Sequence, residues 1–469
     1  MRRFLYSAYL LWAYVLAFAL VFPLLHLALV HVEPSSLPQI SWTTIGHAAQ
    51  ISLILILGGL LLGLLVIAAS SRLSGSLIRP DKVYVLYGLH YLVYRYVLRS
   101  TNSLLYNVLF GDSSYIVQYL RLIGYRLSNY VQTGSNFGTR QDHDIPTLCR
   151  IGRGTMASGG LSMVNAKLGS SSFKVSEVII GEASFLGNEI HYPAGAKAGR
   201  NCLFASKVMV PLHGEIKEDV GLLGSPCIEI PRSSLRDQNL SSIDDEVRRA
   251  RLSRKNRVNL CSMGLLLLFN WGIVVALIVI GHAIALLHAA WGDWLLALTL
   301  PAVSLVVISC LILGERLSCG FKRMSPKICS MYDPYFWGVE RYWKFTESIL
   351  LVVFKGTPLR NIISRMAGVD LGKRVFDDGC VVTEKTLVSI GDDCTLNETA
   401  LIQAHSLEEG VYKSDRIVIA SGATIGAQCF IHYAVDIGEN SSIEPDSFVM
   451  KGEVIAAGTT WRGNPAQPI

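Results

Sequence analysis

Charge is scarce in this chain. Only 17% of its 469 residues are Asp, Glu, Lys or Arg, against an apolar fraction of 51% and a mean hydropathy of +0.39. That composition is too oily for an ordinary soluble enzyme, so part of the chain is expected to sit in lipid. The ten cysteines form no C-x-x-C pair, which argues against a zinc ribbon or a disulfide framework and suits a reducing compartment. Walker loops, G-x-S-x-G elbows, Rossmann fingerprints and metal-type His/Cys spacings are all missing. Nothing in the sequence therefore points to a P-loop, serine-hydrolase, dinucleotide-binding or metal-dependent chemistry.

What the chain does have is long apolar runs. Spanning a bilayer takes about 20 apolar residues in a helix, and four stretches qualify: Leu5–Val30, His47–Ala69, Val258–Ile280 and Trp291–Leu313. They read as two transmembrane hairpins, the first run being too long for a signal peptide and lacking a small-residue cleavage pattern. Lys and Arg flank only the open ends, at Arg2 and Arg3, Arg72, Arg79 and Lys82, Arg248–Arg257, and Arg316, Lys322 and Arg323. The tips His31–Gly46 and His288–Asp293 contain neither residue. By the positive-inside rule both polar regions face the cytoplasm, giving a multi-pass protein of the cytoplasmic membrane. The basic run Arg248–Arg257 directly precedes a span, which favours lipid head groups over nucleic acid as its partner.

The polar regions carry a period of six. Ile419, Ile425, Ile431, Ile437, Ile443, Val449, Ile455 and Trp461 recur at that spacing, with Ala423, Cys429, Val435, Ser441 and Ser447 four positions after an aliphatic residue. One inward aliphatic residue and one small corner residue per hexad is what a triangular, left-handed parallel β-helix requires. Ile390, Leu396 and Ile402 keep the frame, which is then interrupted by an expected loop, His405–Arg416. A first copy runs through Ile180, Leu186, Tyr192, Ala198, Phe204 and Val210, and a displacement of 239 residues aligns the two without a gap. The expected organisation is a transmembrane hairpin at 1–80, surface helices and a first β-helix at 81–240, a basic linker and second hairpin at 241–320, and surface helices with a second β-helix at 321–469. The aromatic stretches Tyr84–Leu98 and Tyr335–Phe354 read either as helices on the membrane surface or as ordinary packing onto the solenoids.

The same displacement sets His405 opposite Ala166, so one copy alone keeps an imidazole. A histidine at the mouth of a solenoid loop can take a proton from an attacking hydroxyl or amine. The bland alternative is that it satisfies polar groups where the loop leaves the coil. In the catalytic reading Glu408 or Glu409 orients the ring, and Asn397, one coil earlier, donates to a developing oxyanion. His432, His191 and His213 read as structural or surface groups.

Gln403-Ala404-His405-Ser406, the hexads from Ile419, Val449-Met450-Lys451-Gly452 and Gly463-Asn464-Pro465-Ala466 resemble hexapeptide-repeat acyltransferases of the maltose and galactoside acetyltransferase kind. That resemblance implies His405 as general base and a slot for a pantetheine arm formed by Lys451, Trp461, Gly463, Asn464 and Pro465. Over nearly the whole chain, paired helices alternating with solenoids, together with Ser184-Phe185-Leu186-Gly187-Asn188, Gly221–Pro226, Ile230-Pro231-Arg232 and Lys355-Gly356-Thr357-Pro358, resemble the C-terminal membrane module of ε-poly-lysine synthetase-type non-ribosomal peptide synthetases. This implies transfer of an aminoacyl group from a phosphopantetheine thioester to an amine, without a metal. The donor is then a separate carrier protein with its adenylation domain, or an acyl-CoA, since this chain has neither such domain. CoA-dependent O- or N-acetylation and a non-catalytic membrane scaffold are the alternatives. Trimeric relatives place sites between β-helices, so a homo-oligomer is compatible with the resemblance.

Overall fold

The computed structural model describes residues 42–127, 141–212, 214–232, 245–291, 294–346 and 354–469. Its helices are α1 (Trp42–Leu77), α2 (Leu89–Thr101), α3 (Leu104–Phe110), α4 (Ile116–Ile123), α5 (Asp245–Trp291), α6 (Trp294–Ser318), α7 (Pro334–Thr346) and α8 (Pro358–Ala367). Among the described residues two helical segments, not four, are long and apolar enough to cross a membrane: Ile45–Leu77 and Arg249–Gly281. The stretch Leu5–Val30 lies outside the described residues, and Trp291–Leu313 falls largely on α6, of which the side chains at 294–300 and 302 are not described. The basic run Arg248–Arg257 is not a linker but belongs to α5, continuous with its apolar part.

The described residues divide into two compact units. One comprises those up to Thr101, with Ala166–Ser176 and Leu267–Cys310. Within it, Trp271 of α5 donates its indole N–H toward Ala49 O and Ser52 Oγ of α1, at 3.1 and 3.0 Å. A three-stranded sheet of Val83–Val85, Ser172–Val175 and Ala166–Leu168 is antiparallel throughout, and Tyr84, Tyr91 and Tyr94 surround Phe173.

The other unit holds both solenoids. In the second, face one stacks Asp370–Leu371, Val388–Ile390, Ile417–Ile419, Asp436–Ile437 and Val454–Ile455 in parallel. Face two runs from Phe376–Asp377 through Thr395–Leu396, Thr424–Ile425 and Ser442–Ile443 to Thr460–Arg462. Face three comprises Val381–Val382, Leu401–Ile402, Phe430–Ile431 and Phe448–Val449. Ile419 stacks on Ile437 and Ile437 on Ile455, one coil being three hexads. The hexad aliphatics from Ile390 to Ile455 are at most 3% exposed, each contributing about 1.5–3 kcal/mol of burial. Small residues are required where coils touch: a Cβ on Gly426 would lie 2.5 Å from Pro445 N.

The first solenoid is shorter. Its faces stack Arg126–Leu127, Cys149–Ile151, Val178–Ile180 and Lys197–Ala198; Met156–Ala157, Phe185–Leu186, Leu203–Phe204 and Val220–Leu223; and Asp142–His143, Ser162–Met163 and His191–Tyr192. Register repeats the displacement seen in the sequence, since Ile151 pairs with Ile180 as Ile390 pairs with Ile419.

The expected loop at His405–Arg416 is a β-hairpin instead. His405–Glu408 pairs antiparallel with Val411–Ser414, and Lys327–Ser330 adds a third strand. Glu409 and Gly410 turn the chain with φ of +51° and +85°, the two left-handed residues that match a tight hairpin to strand twist. Helix α7 starts where Tyr335 N–H donates to Asp333 Oδ1 at 2.8 Å, with Pro334 at its first position. Its aromatic face packs on the hairpin: Phe336, Trp337, Val339 and Trp343 are buried in one cluster with Leu407 and Tyr412. Within the stretch Tyr335–Phe354, α7 thus packs on the hairpin; residues 347–353 lie outside the described residues.

Candidate active site

The site forms on the corner that follows face three. Each strand there hands over to a corner residue whose N–H bonds the next coil: Thr383 to Ile402 O, Gln403 to Ile431 O and His432 to Val449 O, at 3.1, 2.9 and 3.2 Å. Glu384 thus sits one coil below the point where His405 starts the hairpin. Nδ1 of His405 lies 2.8 Å from Oε1 of Glu384, whose side chain has no exposed surface. Trp343 Nε1–H donates to the same oxygen at 2.6 Å and Thr383 Oγ1–H to Oε2 at 2.5 Å. Burial pushes the Glu384 carboxyl up, but the charge and hydrogen bond of His405, with the bonds from Thr383 and Trp343, outweigh it and hold the pKa below the ordinary value.

At 2.8 Å from an ionised glutamate Nδ1 carries a proton, which leaves the lone pair on Nε2; the carboxylate stands off the line of that N–H, so the contact is an ion-pair contact and not an aligned hydrogen bond. The imidazole packs against the rings of Trp343 and Tyr412, at 4.5 and 5.9 Å between centroids, and those two rings also touch each other at 6.3 Å, so the three form one cluster; 13% of the His405 side chain is exposed. A histidine paired with a carboxylate in one tautomer and packed on aromatic rings is equipped to accept a proton and to be stabilised as imidazolium. The corner is braced from behind. Lys385 donates to both oxygens of Glu315 at 2.8 and 2.6 Å, and Tyr342 O–H lies 3.1 Å from Glu315 Oε1 and 3.2 Å from Thr383 O.

Glu408 does not orient His405. Successive residues of a strand face opposite sides, so a residue three positions on points away. Glu408 accepts from Lys451 at 2.8 Å on both oxygens and pairs with Lys413 at 3.5 Å. Burial raises its pKa, and these lysines more than compensate. Glu409 pairs with Arg232. Asn397 belongs to a different corner, the one after face two, and its side-chain N–H donates to Ile425 O at 2.8 Å beside its own backbone N–H at 3.0 Å.

Lys451 shares the His405 corner and is 46% exposed. Trp461 occupies an inward position, packs on the solenoid core and donates to Thr459 Oγ1 at 3.1 Å. Gly463, at φ +106°, donates its N–H to Ser447 Oγ at 3.1 Å and accepts from Phe448 N–H on its carbonyl. Asn464 donates to Lys207 O at 2.7 Å and accepts from Ser225 N–H at 3.2 Å, with Pro465 near Gly224. The structure therefore links His405 to Lys451 through the hairpin, while Trp461 and Gly463–Pro465 serve packing and the first solenoid. His432 is 5% exposed; burial lowers its pKa to about 3, and Nδ1 accepts from Tyr433 N–H at 3.0 Å. His191 is exposed, and His213 lies outside the described residues. Among the described residues no cluster of His, Cys, Asp or Glu is arranged to hold a metal ion.

The first solenoid flanks this corner. Its outward-facing Met156 and Phe185 join the cluster containing Leu407, Tyr412 and Trp343. Asn188 donates to Gln403 Oε1 at 3.2 Å, and Gln403 donates to the carbonyl of His405 at 3.0 Å. Lys207 donates to Gln428 O at 2.8 Å and pairs with Asp446. In the first copy the positions of Glu384 and His405 are held by Ile145 and Ala166, both apolar. Glu384 was missed because its nearness to His405 comes from coil stacking; the Ile145 mismatch was the signal that marks it.

No protein-family model matches the chain. A curated relative, the delta-poly-L-ornithine synthetase of Acinetobacter baumannii (strain AB307-0294), is 23% identical over 362 residues, which cover 76% of this chain and 26% of that protein. The chain thus spans about a quarter of that relative's length. Among solved structures, a hexapeptide-repeat acetyltransferase from Vibrio cholerae is 18% identical, covering 24% of this chain and 78% of that one with a TM-score of 0.21. A galactoside acetyltransferase in complex with coenzyme A is 19% identical, covering 24% and 68% with a TM-score of 0.21.

Proposed function

We propose that this chain is a membrane-bound acyltransferase that makes an amide, or an ester, by transfer from a thioester. The observation that carries the reading is the His405–Glu384 pair at 2.8 Å, present in the one copy and replaced by Ala166 and Ile145 in the other. Nε2 of His405 removes the proton of an acceptor amine or hydroxyl as it attacks the thioester carbonyl. Glu384 stabilises the imidazolium, and the proton then leaves with the sulfur. Trp343 and Tyr412 hold the ring and exclude water.

The donor is a phosphopantetheine thioester, as substrate. Lys451 offers an exposed ammonium to its phosphate, in exchange for Glu408. Trp461, Gly463, Asn464 and Pro465 are engaged in packing and at most frame the upper end of the slot. Similarity to a protein named a poly-ornithine synthetase favours a carrier-bound aminoacyl donor and an amine acceptor over acetyl-CoA. In this reading both solenoids are left-handed, both face the cytoplasm, and α1 and α5 anchor them, the arginines of α5 meeting lipid head groups. One chain then supplies both walls of a cleft, the first solenoid standing where a neighbouring subunit would.

The test is transfer by full-length, detergent-solubilised protein from aminoacyl-carrier protein and from acetyl-CoA to a panel of amines and sugars. Transfer from the carrier alone supports the reading, and transfer from acetyl-CoA alone moves the chain to CoA-dependent acetylation. Transfer from neither leaves a scaffold.

A further inference from the structure

The hairpin sets further polar groups beside His405. His405 is paired across the strands with Ser414, and Leu407 with Tyr412; directly opposed residues and their alternate neighbours share one face of a sheet. The imidazole, the Ser414 hydroxyl and the Tyr412 ring therefore stand on the same face, the two rings 5.9 Å apart and 25° from parallel. Ser414 is 4% exposed and Tyr412 0%, and neither hydroxyl meets a protein partner in hydrogen-bond geometry. The Ser414 hydroxyl is close enough to the Tyr412 oxygen to act on it as a hydrogen-bonding group, although not in good geometry, and even a pair bonded to each other has one hydrogen left to donate. Burial keeps the phenol protonated by pushing its pKa well up.

Burying an unpaired hydroxyl costs stability, so folding alone favours apolar residues here. The first copy has them. Its hairpin pairs Ala166 with Val175 and Leu168 with Phe173, the positions aligned with His405, Ser414, Leu407 and Tyr412. Where the imidazole and its glutamate are missing, both hydroxyls are missing too.

Resting on the acyl-transfer reading, we propose that Ser414, backed by Tyr412, is a catalytic residue that donates a hydrogen bond to the oxyanion of the tetrahedral intermediate. The acceptor atom bonds to the carbonyl carbon while its proton passes to Nε2 of His405, and the C=O electron pair moves onto oxygen, where the Ser414 hydroxyl meets it. On collapse that pair re-forms C=O, the C–S bond breaks, and the sulfur departs with the proton from Nε2. Ser414 gains and loses no proton. This is the role that Asn397, engaged with Ile425 O, does not fill.

The test uses Ser414→Val and Tyr412→Phe, the residues of the first copy, and Ser414→Thr in full-length solubilised protein, with aminoacyl-carrier and acetyl-CoA thioesters as donors. For Ser414→Val the expected result is a kcat lower by on the order of 10²-fold, an unchanged donor KM, an unchanged pH midpoint and a thermal midpoint no lower than wild type. Ser414→Thr, which keeps the hydroxyl, should recover most of the rate. Full kcat in the Ser414→Val/Tyr412→Phe double variant overturns the proposal, as does a Thr variant as slow as the Val variant. A wild-type protein that transfers from neither donor overturns the underlying acyl-transfer reading, an outcome seen before any variant is made.

Discussion

Glu384 lies 2.8 Å from Nδ1 of His405 with no exposed surface, one coil below it on the same corner. The carboxylate is thus part of the solenoid wall, and the imidazole belongs to the hairpin that leaves it. Glu384→Gln keeps the shape and removes the charge that selects the tautomer and stabilises imidazolium. Its kcat should fall on the order of 10²-fold or more, with donor KM little changed; steady-state kinetics on protein with an unaltered circular dichroism spectrum checks this.

Acid should destabilise the fold through its buried histidines. Burial lowers the pKa of His432 to about 3, against about 6.5 unfolded. Between those values the unfolded chain binds the extra proton, so stability is full above the unfolded pKa and is lost as pH falls toward 3. Replacing His432 by Phe should remove about 1.4 kcal/mol per pH unit from that slope. Chemical unfolding from pH 7 to pH 4 measures it; an unchanged slope would mean that His432 is not buried neutral.

Lys255 of α5 and Glu340 of α7 form an ion pair at 2.8 Å with 0% and 1% of their side chains exposed. Removing one member strands the other charge, whereas removing both does not. Lys255→Met alone should cost about 3–5 kcal/mol, and Lys255→Met with Glu340→Leu should recover most of that. Thermal melting of the two singles and the double tests it, and an additive double would contradict the pairing.

The solenoid should refuse a side chain at its tight corners. At Gly426 a Cβ would lie 2.5 Å from Pro445 N and 2.7 Å from Ile443 O, all backbone atoms that cannot swing aside. Gly426→Ala should destabilise by more than about 2 kcal/mol, read as a lower midpoint of unfolding. At Gly452, where nothing lies within 4 Å but φ is +76°, the cost should be smaller and due to the backbone alone.

How far the sequence carried depended on how local each feature is. The solenoid was legible because Ile419 to Ile455 repeat every six residues and each coil needs the same residue at the same place. The hairpin read as a loop because its third strand, Lys327–Ser330, is contributed from far upstream. Glu408 attracted the orienting role through closeness in sequence, which strand alternation overrules. Asn397 is one coil earlier in sequence than the hairpin, but it stands on another corner of the triangle. Glu384 and Trp343 reach His405 only through stacking and helix packing, contacts with no sequence period. The copy lacking the imidazole was the more informative guide, since Ile145, Ala166, Phe173 and Val175 stand where Glu384, His405, Tyr412 and Ser414 do.

The measurement that bears most directly on the central claim is single-turnover acyl transfer by full-length His405→Ala protein beside wild type, each shown to be equally folded and to bind the donor thioester equally. The account expects the variant's transfer rate to fall by on the order of 10²–10⁴-fold. Equal rates in the two proteins would contradict it.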